Sequence, residues 1–317
     1  MEFVLYNIQF SVLSSQLSVL NSPFSVLSSP FSVYSYLYPM IRYATHHDTA
    51  ALKLLLKEVF SDNDRFINLF FRLKFDGGNV CVYEQDGQIV SMAFLLPATI
   101  LLAEGERPVT YLYACATREE FRGRGYMRAI IERVYADICE RGQVALLLMP
   151  AEPSLYDYYA QCGFEPFFYW NQHHYEALHF NWRNDHEEYA LCRISAAHYA
   201  DFRRQHLTAE GTIHWNLAHL QVLEEDAAGS DNGFYAVMAN GEEKACCLVW
   251  LRDDACEVEE WIGEPLPYVQ GLFFRTFDMP KVTITNCGTE EKSAMIRFSP
   301  AYEHLKNGKG YFNLSIG

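Results

Sequence analysis

The sequence has no lysine or arginine before Arg42, and no charged residue between Phe3 and Ile41. A secretory signal peptide needs a basic segment ahead of its apolar segment, so the first absence argues against one. Serines and prolines interrupt this region, whereas a membrane-spanning helix needs about 20 mostly apolar residues in a row. We therefore expect neither a signal peptide nor a membrane span, although the lack of charge leaves a membrane-associated leader as an alternative.

Basic residues are scarce in the chain as a whole. In 317 residues, 25 Lys and Arg stand against 40 Asp and Glu, which gives a formal net charge of −15. A strongly acidic chain repels the phosphates of nucleic acids and the anionic surface of membranes. We therefore expect no nucleic acid and no membrane among its partners, and the balance of charge favours a cationic ligand.

The nine cysteines include no Cys-x-x-Cys pair, and no flanking histidines have zinc-binding spacing. Their irregular spacing is typical of reduced thiols. The sequence therefore predicts a cytoplasmic protein and no bound metal.

A seven-residue repeat fills the N-terminal region. Phe24-Ser-Val-Leu-Ser-Ser-Pro30 has close copies that begin at residues 10, 17 and 31. Heptads suggest a coiled coil, but Pro23 and Pro30 recur inside the array, and proline breaks a helix interior. We interpret residues 1–39 as a low-complexity leader, translated from a duplicated DNA segment ahead of the expected initiator, Met40.

The remaining sequence predicts an α/β (α+β) fold, with a mixed central sheet flanked by helices. We expect a first unit at residues 40–182 and a second at residues 187–317 in which the order of strands and helices echoes the first. The expected elements of the second unit include a helix from Ile213 to Glu224 and a terminal strand from Tyr311 to Gly317.

The window most informative about chemistry lies between a predicted strand and a long predicted helix. It reads Ala116-Thr-Arg-Glu-Glu-Phe-Arg122-Gly123-Arg124-Gly125-Tyr126-Met127. Glycines allow a tight turn in which backbone N–H groups and the helix N-terminus converge on one point, an arrangement that binds anions such as a diphosphate. The alternative is an ordinary strand-to-helix loop with surface arginines.

The window and a second motif resemble the GNAT superfamily of N-acetyltransferases. Arg122-Gly-Arg-Gly-Tyr-Met127 resembles that family's Arg/Gln-x-x-Gly-x-Gly/Ala signature, and Tyr159-Ala-Gln-Cys-Gly-Phe164 resembles its Tyr-x-x-x-Gly-Phe segment. Met127 departs from the signature, which prefers Gly or Ala there. The resemblance covers about residues 41–180.

The resemblance implies that acetyl-CoA is the donor substrate. The family's pyrophosphate-binding positions correspond to Arg122, Gly123, Arg124, Gly125, Tyr126 and Met127. The strand end at Cys115, Ala116 and Thr117 would separate from its neighbour and hydrogen-bond the pantetheine arm and the acetyl carbonyl through main-chain groups. Cys115 itself is interpreted as a strand residue rather than a nucleophile, because members of the family transfer the acetyl group directly to an amine.

Direct transfer requires a general acid for the departing thiolate and an acceptor for the proton of the amine. The resemblance assigns the acid to Tyr159, and Tyr156 is the alternative because it lies on nearly the same helical face. Candidates for the base are Glu152, the terminal carboxylate of Gly317 and water.

The second unit has no Arg-x-x-Gly-x-Gly loop, so we expect a degenerate GNAT-like copy that binds no CoA. Its expected role is to line the acceptor cleft with residues such as Trp215, Trp250 and Trp261. The predicted function is N-acetylation of a primary amine on a small cationic molecule or a peptide. A non-catalytic acyl-CoA sensor or scaffold is the alternative, and the oligomeric state does not follow from the sequence.

Overall fold

The computed structural model describes residues 40–181 and 189–316. The repeat-containing leader, the predicted boundary between the two units, and Gly317 lie outside the described residues. The chain divides into Met1–Tyr38 and Pro39–Gly317, and the fold described below belongs to the second of these.

Among residues 40–181 the first half contains four α-helices and six strands. The helices are α1 (Thr49–Phe60), α2 (Asp64–Lys74), α3 (Tyr126–Glu140) and α4 (Ser154–Gln161). The strands are β1 (Met40–Tyr43), β2 (Val80–Gln85), β3 (Gln88–Leu102), β4 (Gly105–Thr117), β5 (Ala145–Leu148) and β6 (Glu165–Glu176).

The second half contributes three described helices and seven described strands. The helices are α5 (Ala196–His206), α6 (Leu217–Asp226) and α7 (Gln270–Phe277). The strands are β7 (Tyr189–Arg193), β8 (Ile213–Trp215), β9 (Gly233–Ala239), β10 (Glu242–Arg252), β11 (Ala255–Gly263), β12 (Lys281–Cys287) and β13 (Glu291–Phe298).

All of these strands belong to one mixed sheet, in the order β1-β2-β3-β4-β5-β13-β6-β12-β11-β10-β9-β7, with β8 paired to β3. Counted inwards from each edge, the pairings follow the same pattern. Three antiparallel pairs lead to a parallel one, β4 with β5 in the first half and β11 with β12 in the second. The mixed sheet flanked by helices confirms the predicted fold class.

The two halves exchange strands at the centre of the sheet. Strand β13, from near the C-terminus, pairs with β5, and β6 of the first half pairs with β12 of the second. The exchanged strands β13 and β6 also pair with each other. The first half is therefore completed by a strand almost 300 residues into the chain, while the boundary between residues 182 and 187 stays a prediction.

Helix α3 illustrates how the sequence specifies the packing. Its buried residues are Met127, Ile130, Ile131, Val134 and Ile138. The spacing of three and four puts them on one helical face, and that face packs on β2, β3, β4 and β5. No helix among the described residues is long and apolar enough to cross a membrane.

Two predicted elements of the second half are corrected by the structure. The expected helix from Ile213 begins instead as strand β8, which pairs with Ala98–Ile100 of β3 before α6 starts at Leu217. The expected terminal strand is an irregular segment in which Tyr311 makes an isolated bridge to Thr212.

Candidate active site

The segment between β4 and α3 forms an open turn. Gly123 and Gly125 have φ of +74° and +82°, the left-handed region that favours glycine. No atom of the described residues lies within 4 Å of the Cβ position at either glycine. Gly125 is the N-cap of α3 and provides no side-chain cap, so the first-turn N–H groups of the helix and the positive end of its dipole favour an anion here.

Two arginines border this turn. Arg122 Nε donates to Thr117 O at 3.2 Å, and Arg124 Nη2 donates to Glu120 O at 2.9 Å. The Arg124 guanidinium lies over the Phe121 ring, 5.1 Å from its centroid. These contacts use only part of each guanidinium, and both arginines are exposed. The turn therefore combines uncapped backbone donors with two accessible positive charges, which fits a diphosphate.

The two residues that follow the turn serve packing. Tyr126 stacks on Tyr83 with 4.2 Å between ring centroids and donates its hydroxyl proton to Gln85. Met127 is 9% exposed and belongs to the core cluster that includes Ile130. The side chain of Met127 therefore lies in the core, and its departure from the family signature does not crowd the turn.

Strands β4 and β5 diverge ahead of the glycine turn. Among the described residues they pair only at Thr110 with Leu146 and Tyr111 with Leu147, although β4 continues to Thr117. On its other side β4 carries a bulge against β3, where Ala114 adopts φ of +49°. Bulges re-aim neighbouring side chains and bend a strand, and this one bends β4 where the gap to β5 opens.

A cavity of about 390 Å³ lies at this divergence. Its walls come from the end of α1, β4, the end of β5, α4 and the C-terminal segment. They include Tyr111, Tyr113, Cys115, Met149, Tyr159 and Ser315. Residues from both halves of the chain therefore meet in one cavity beside the strand that runs into the glycine turn.

Tyr159 and Cys115 contact each other in this cavity. Both line the cavity, and Tyr159 is 7% exposed. Burial raises the pKa of the Cys115 thiol to about 12, and burial followed by the neighbouring Cys115 raises the pKa of Tyr159 far above its usual value. The Tyr159 hydroxyl is therefore neutral, and Cys115 is a thiol rather than a reactive thiolate.

The alternative acid and one of the candidate bases lie elsewhere. Tyr156 donates its hydroxyl proton to main-chain oxygens of β13, 3.2 Å to Lys292 O and 3.4 Å to Ser293 O. Glu152 is exposed and accepts from Ser154 Oγ at 3.3 Å, at the start of α4. Neither side chain lines the cavity.

Side chains of β8 and α6 hold the C-terminal segment, residues 311–316. Trp215 Nε1 donates to Asn313 O at 2.8 Å, and His219 Nε2 lies 2.8 Å from Leu314 O. Because a carbonyl oxygen can only accept, Nε2 carries the histidine proton. The two rings are stacked with centroids 3.7 Å apart. Burial keeps the pKa of His219 well below its usual value, so the ring is neutral.

This attachment places the end of the described chain in the cavity. Leu314 has φ of +64°, a backbone conformation that is unusual for leucine and bends the segment. The next two residues, Ser315 and Ile316, line the cavity with Tyr159. Gly317, the proposed terminal base, lies outside the described residues.

A second cavity of about 380 Å³ adjoins the first and shares Asp62 and Ser315 with it. Its walls carry three carboxylates, Asp62, Asp226 and Glu259, and one arginine, Arg252. Desolvation raises the pKa of each carboxyl, for Glu259 to about 7.

Two of the three tryptophans expected in the cleft lie elsewhere in the structure. Trp250 lines the second cavity and donates to Glu259 Oε2 at 2.7 Å. Trp215 packs in the core against Phe312, and Trp261 packs against Phe273.

The three carboxylates could not be predicted from the sequence. Asp62 follows the C-cap of α1, while Asp226 ends α6 and Glu259 lies in the middle of β11. The three positions share no motif, and long-range strand pairing alone brings them together. The unusual Leu314 conformation likewise has no local signature.

Comparison with known proteins relates the first half of the chain to a known family and supports the fold. Residues 40–167 match the family model described as an acetyltransferase (GNAT) domain. This part of the chain is similar to the GNAT superfamily, as the two motifs predicted. No curated protein matches the chain.

Solved structures with the same fold extend the likeness over both halves. A conserved protein of unknown function from Enterococcus faecalis, described as a probable N-acyltransferase, has 15% identity and a TM-score of 0.69 over 84% of this chain and 74% of its own. A GCN5-related N-acetyltransferase from Anabaena variabilis has 16% identity and a TM-score of 0.61 over 82% and 70%. Eis1 from Mycobacterium abscessus has 11% identity and a TM-score of 0.62 over 83% and 74%. At these identities the likeness shows the fold alone.

Proposed function

We propose that the protein transfers an acetyl group from acetyl-CoA directly to a primary amine. The observation that carries the proposal is the position of Tyr159, which lines the cavity where β4 and β5 diverge. The match of residues 40–167 to an acetyltransferase domain supports acyl transfer as the chemistry of this cavity.

The donor side of the site consists mainly of backbone. The turn at Arg122–Gly125 and the first helical residues, Tyr126 and Met127, would hold the diphosphate of acetyl-CoA through their uncapped N–H groups, with the Arg122 and Arg124 side chains at the border. Main-chain groups of Cys115–Thr117, at the diverging end of β4, would hold the pantetheine arm. This arrangement points the thioester towards the cavity that contains Tyr159.

The reaction requires two proton movements. As the amine nitrogen forms its bond to the acetyl carbon, the carbon–sulfur bond breaks and the nitrogen loses a proton. Tyr159 donates its hydroxyl proton to the departing sulfur. The proton from nitrogen goes to water.

The acceptor side is acidic. With Asp62, Asp226 and Glu259 ionised, three negative charges line the second cavity, against Arg252 in its wall and Arg65, which pairs with Asp226 at 3.7 Å. Such a wall attracts a cation and, at close range, favours it over a neutral molecule. We therefore propose an acceptor with at least one positive charge besides the amine that reacts, either a small molecule or the side chain or terminus of a peptide.

The test is release of free CoA thiol from acetyl-CoA with a panel of mono-, di- and polyamines. We expect turnover with charged amines and a fall of about 10²- to 10⁴-fold in kcat for Tyr159→Phe. Tyr156→Phe is the matched control, because that hydroxyl binds main-chain oxygens of β13 outside the cavity. Equal losses in the two variants would refute the role of Tyr159.

A second measurement distinguishes an acetyltransferase from a non-catalytic acyl-CoA sensor. Calorimetric titration with acetyl-CoA reports binding whether or not an amine reacts. Tight binding without turnover on any amine would support the non-catalytic alternative, in which Tyr159 serves only packing.

The nine free thiols, buried and exposed, favour a reducing compartment, and we propose a cytoplasmic location.

A further inference from the structure

Three metal-binding side chains meet on the surface of the second half, away from the cavities of the acetyl-transfer site. They are His198 in the first turn of α5, and Glu243 and Cys246 on β10. One donor atom from each lies within 4.8 Å of the other two. His198 Nε2 is 2.8 Å from Glu243 Oε1, and Cys246 Sγ is 3.3 Å from the same oxygen.

A β-bulge explains how Glu243 and Cys246 come together. Residues an odd number apart on a regular strand point to opposite faces. The register of β10 against β9 shifts here, since Glu243 pairs with Met238 while Ala245 pairs with the adjacent Val237. The extra residue, Lys244, reverses the alternation, so both side chains point to the face of the sheet on which α5 packs.

The three side chains of the cluster differ in exposure, and the difference leaves an ion a path from solvent to the sulfur. Cys246 is fully buried, whereas 46% of the His198 side chain and 28% of the Glu243 side chain are exposed. An ion can therefore approach from solvent past the imidazole and the carboxylate and reach the sulfur at the bottom. Burial followed by the neighbouring Glu243 raises the pKa of the Cys246 thiol well above its usual value, so the metal-free cluster holds the thiol proton.

The distances fit a tetrahedral ion. Zinc binds sulfur at about 2.3 Å and nitrogen or oxygen at about 2.0–2.2 Å. Tetrahedral angles at those lengths put neighbouring donor atoms roughly 3.3–3.6 Å apart. The separations from Glu243 Oε1, 2.8 Å to His198 Nε2 and 3.3 Å to Cys246 Sγ, lie at or below the lower end of this range, and the separation of His198 and Cys246 is at most 4.8 Å. Binding therefore needs small movements of the two partly exposed side chains.

We propose that His198, Glu243 and Cys246 bind one divalent transition metal of the zinc type, through an imidazole nitrogen, a carboxylate oxygen and the sulfur. Sulfur, nitrogen and oxygen donors together select zinc and cobalt over magnesium and calcium, which prefer oxygen alone. Binding releases the thiol proton, so that the site becomes a thiolate–metal unit and one H⁺ enters solvent. Three protein ligands leave the fourth position to water. The ion would tie α5 to β10.

The test is titration of the chelator-treated full chain with Co²⁺, followed by the thiolate-to-cobalt charge-transfer band and the visible bands of tetrahedral cobalt. We expect one cobalt per chain, displaced by one equivalent of Zn²⁺. Cys246→Ser should abolish the charge-transfer band. His198→Ala changes an exposed position and should fold, and we expect its cobalt affinity to fall at least tenfold.

Matched controls identify adventitious binding. Cys192→Ser removes an exposed thiol on β7, and His47→Ala removes an exposed imidazole near the N-terminal end of the described chain. Both variants should keep the full spectrum and affinity. Zn²⁺ should also raise the Tm of the wild type and of these controls, but not that of His198→Ala. A spectrum that is absent, or that survives in Cys246→Ser and His198→Ala, would overturn the proposal. Neither readout depends on acetyl transfer.

Discussion

The two tyrosines of helix α4 show what sequence spacing determines at the scale of single residues. The spacing to Gly163 favoured Tyr159, and the structure places Tyr159 in the cavity and Tyr156 against main-chain oxygens of β13. The sequence could not decide between them, because the orientation of α4 depends on β13, a strand more than 100 residues later. Tyr159 as the acid stays a prediction that the kinetic comparison will test.

Glycine in the turn allows a prediction about the donor site. Alanine at Gly125 would put a Cβ into a turn with φ of +82°, at a cost of about 1–2 kcal/mol in the left-handed region. It would also occupy the open space beside the helix N-terminus. We expect the Kd for acetyl-CoA, measured by calorimetry, to rise at least tenfold in Gly125→Ala.

Gly142 provides the matched control for that variant. It lies just after α3 with φ of +68°, and its Cβ position is likewise open to at least 4 Å. Gly142→Ala should lose similar stability and keep its affinity for acetyl-CoA. If both variants bind equally well, the turn is not the diphosphate site.

Glu259 carries a prediction about pH. Desolvation raises its pKa to about 7, so the carboxylate is charged above that pH and neutral below it. If the charge holds a cationic acceptor, the Kd for that amine should increase up to about tenfold between pH 8 and pH 6, since roughly nine-tenths of the carboxyl is protonated one unit below its pKa.

The comparison for this prediction is Glu259→Gln, which should bind the amine weakly at every pH and lose most of the dependence. Glu291→Gln is the control, because Glu291 is an exposed carboxylate on β13 that does not line the cavity. A wild type and a Glu259→Gln variant with the same pH profile would show that the acidic cavity does not bind the acceptor.

At the scale of elements, local patterns predicted much of the structure. The sequence pattern predicts a helix from Asp64 to Lys74, and α2 is observed with those bounds. Its apolar spacing and its Asn63 cap, which accepts from Phe66 N at 2.9 Å, are both local features. Strand β8 was expected to be helical, since Ile213–Trp215 is strand only through pairing with β3. Strand β13 was not predicted at all.

The C-terminal segment gives a prediction at this scale. Trp215→Phe removes the indole N–H that binds Asn313 O, while the ring can still stack on His219. The buried carbonyl loses its partner, at a cost of about 1–3 kcal/mol, and the segment that carries Ser315 loses one of its attachments. We expect kcat to fall several-fold while the Kd for acetyl-CoA stays unchanged.

Trp261→Phe is the control for the C-terminal segment. That indole donates to Glu264 O at 3.2 Å and packs in a different core cluster, with Phe273. It should lose comparable stability without the effect on kcat. A loss of kcat in both variants would indicate general destabilisation rather than a misplaced segment.

At the scale of the whole molecule, the strand exchange at the centre of the sheet joins the two halves of the described chain. In the first half the gap between β5 and β6 is filled by β13, whose Ala294, Met295 and Ile296 are buried. The family match ends at residue 167 and includes neither the greater part of β6 nor β13. The part of the chain that matches the family by sequence therefore lacks β13, a strand that its sheet needs.

We predict that a fragment of residues 40–182 does not fold alone. Without β13 it would expose the inner edges of β5 and β6, with their unpaired N–H and C=O groups, together with apolar side chains such as Leu147 and Phe168, and such edges drive aggregation. Expression of this fragment should give insoluble protein, whereas co-expression with residues 187–317 should restore a soluble complex that binds acetyl-CoA. The control is a co-expressed second fragment that ends at residue 289, before β13, and should fail to rescue. A soluble, cooperatively melting 40–182 fragment would show that the first half can close its sheet without the exchanged strand.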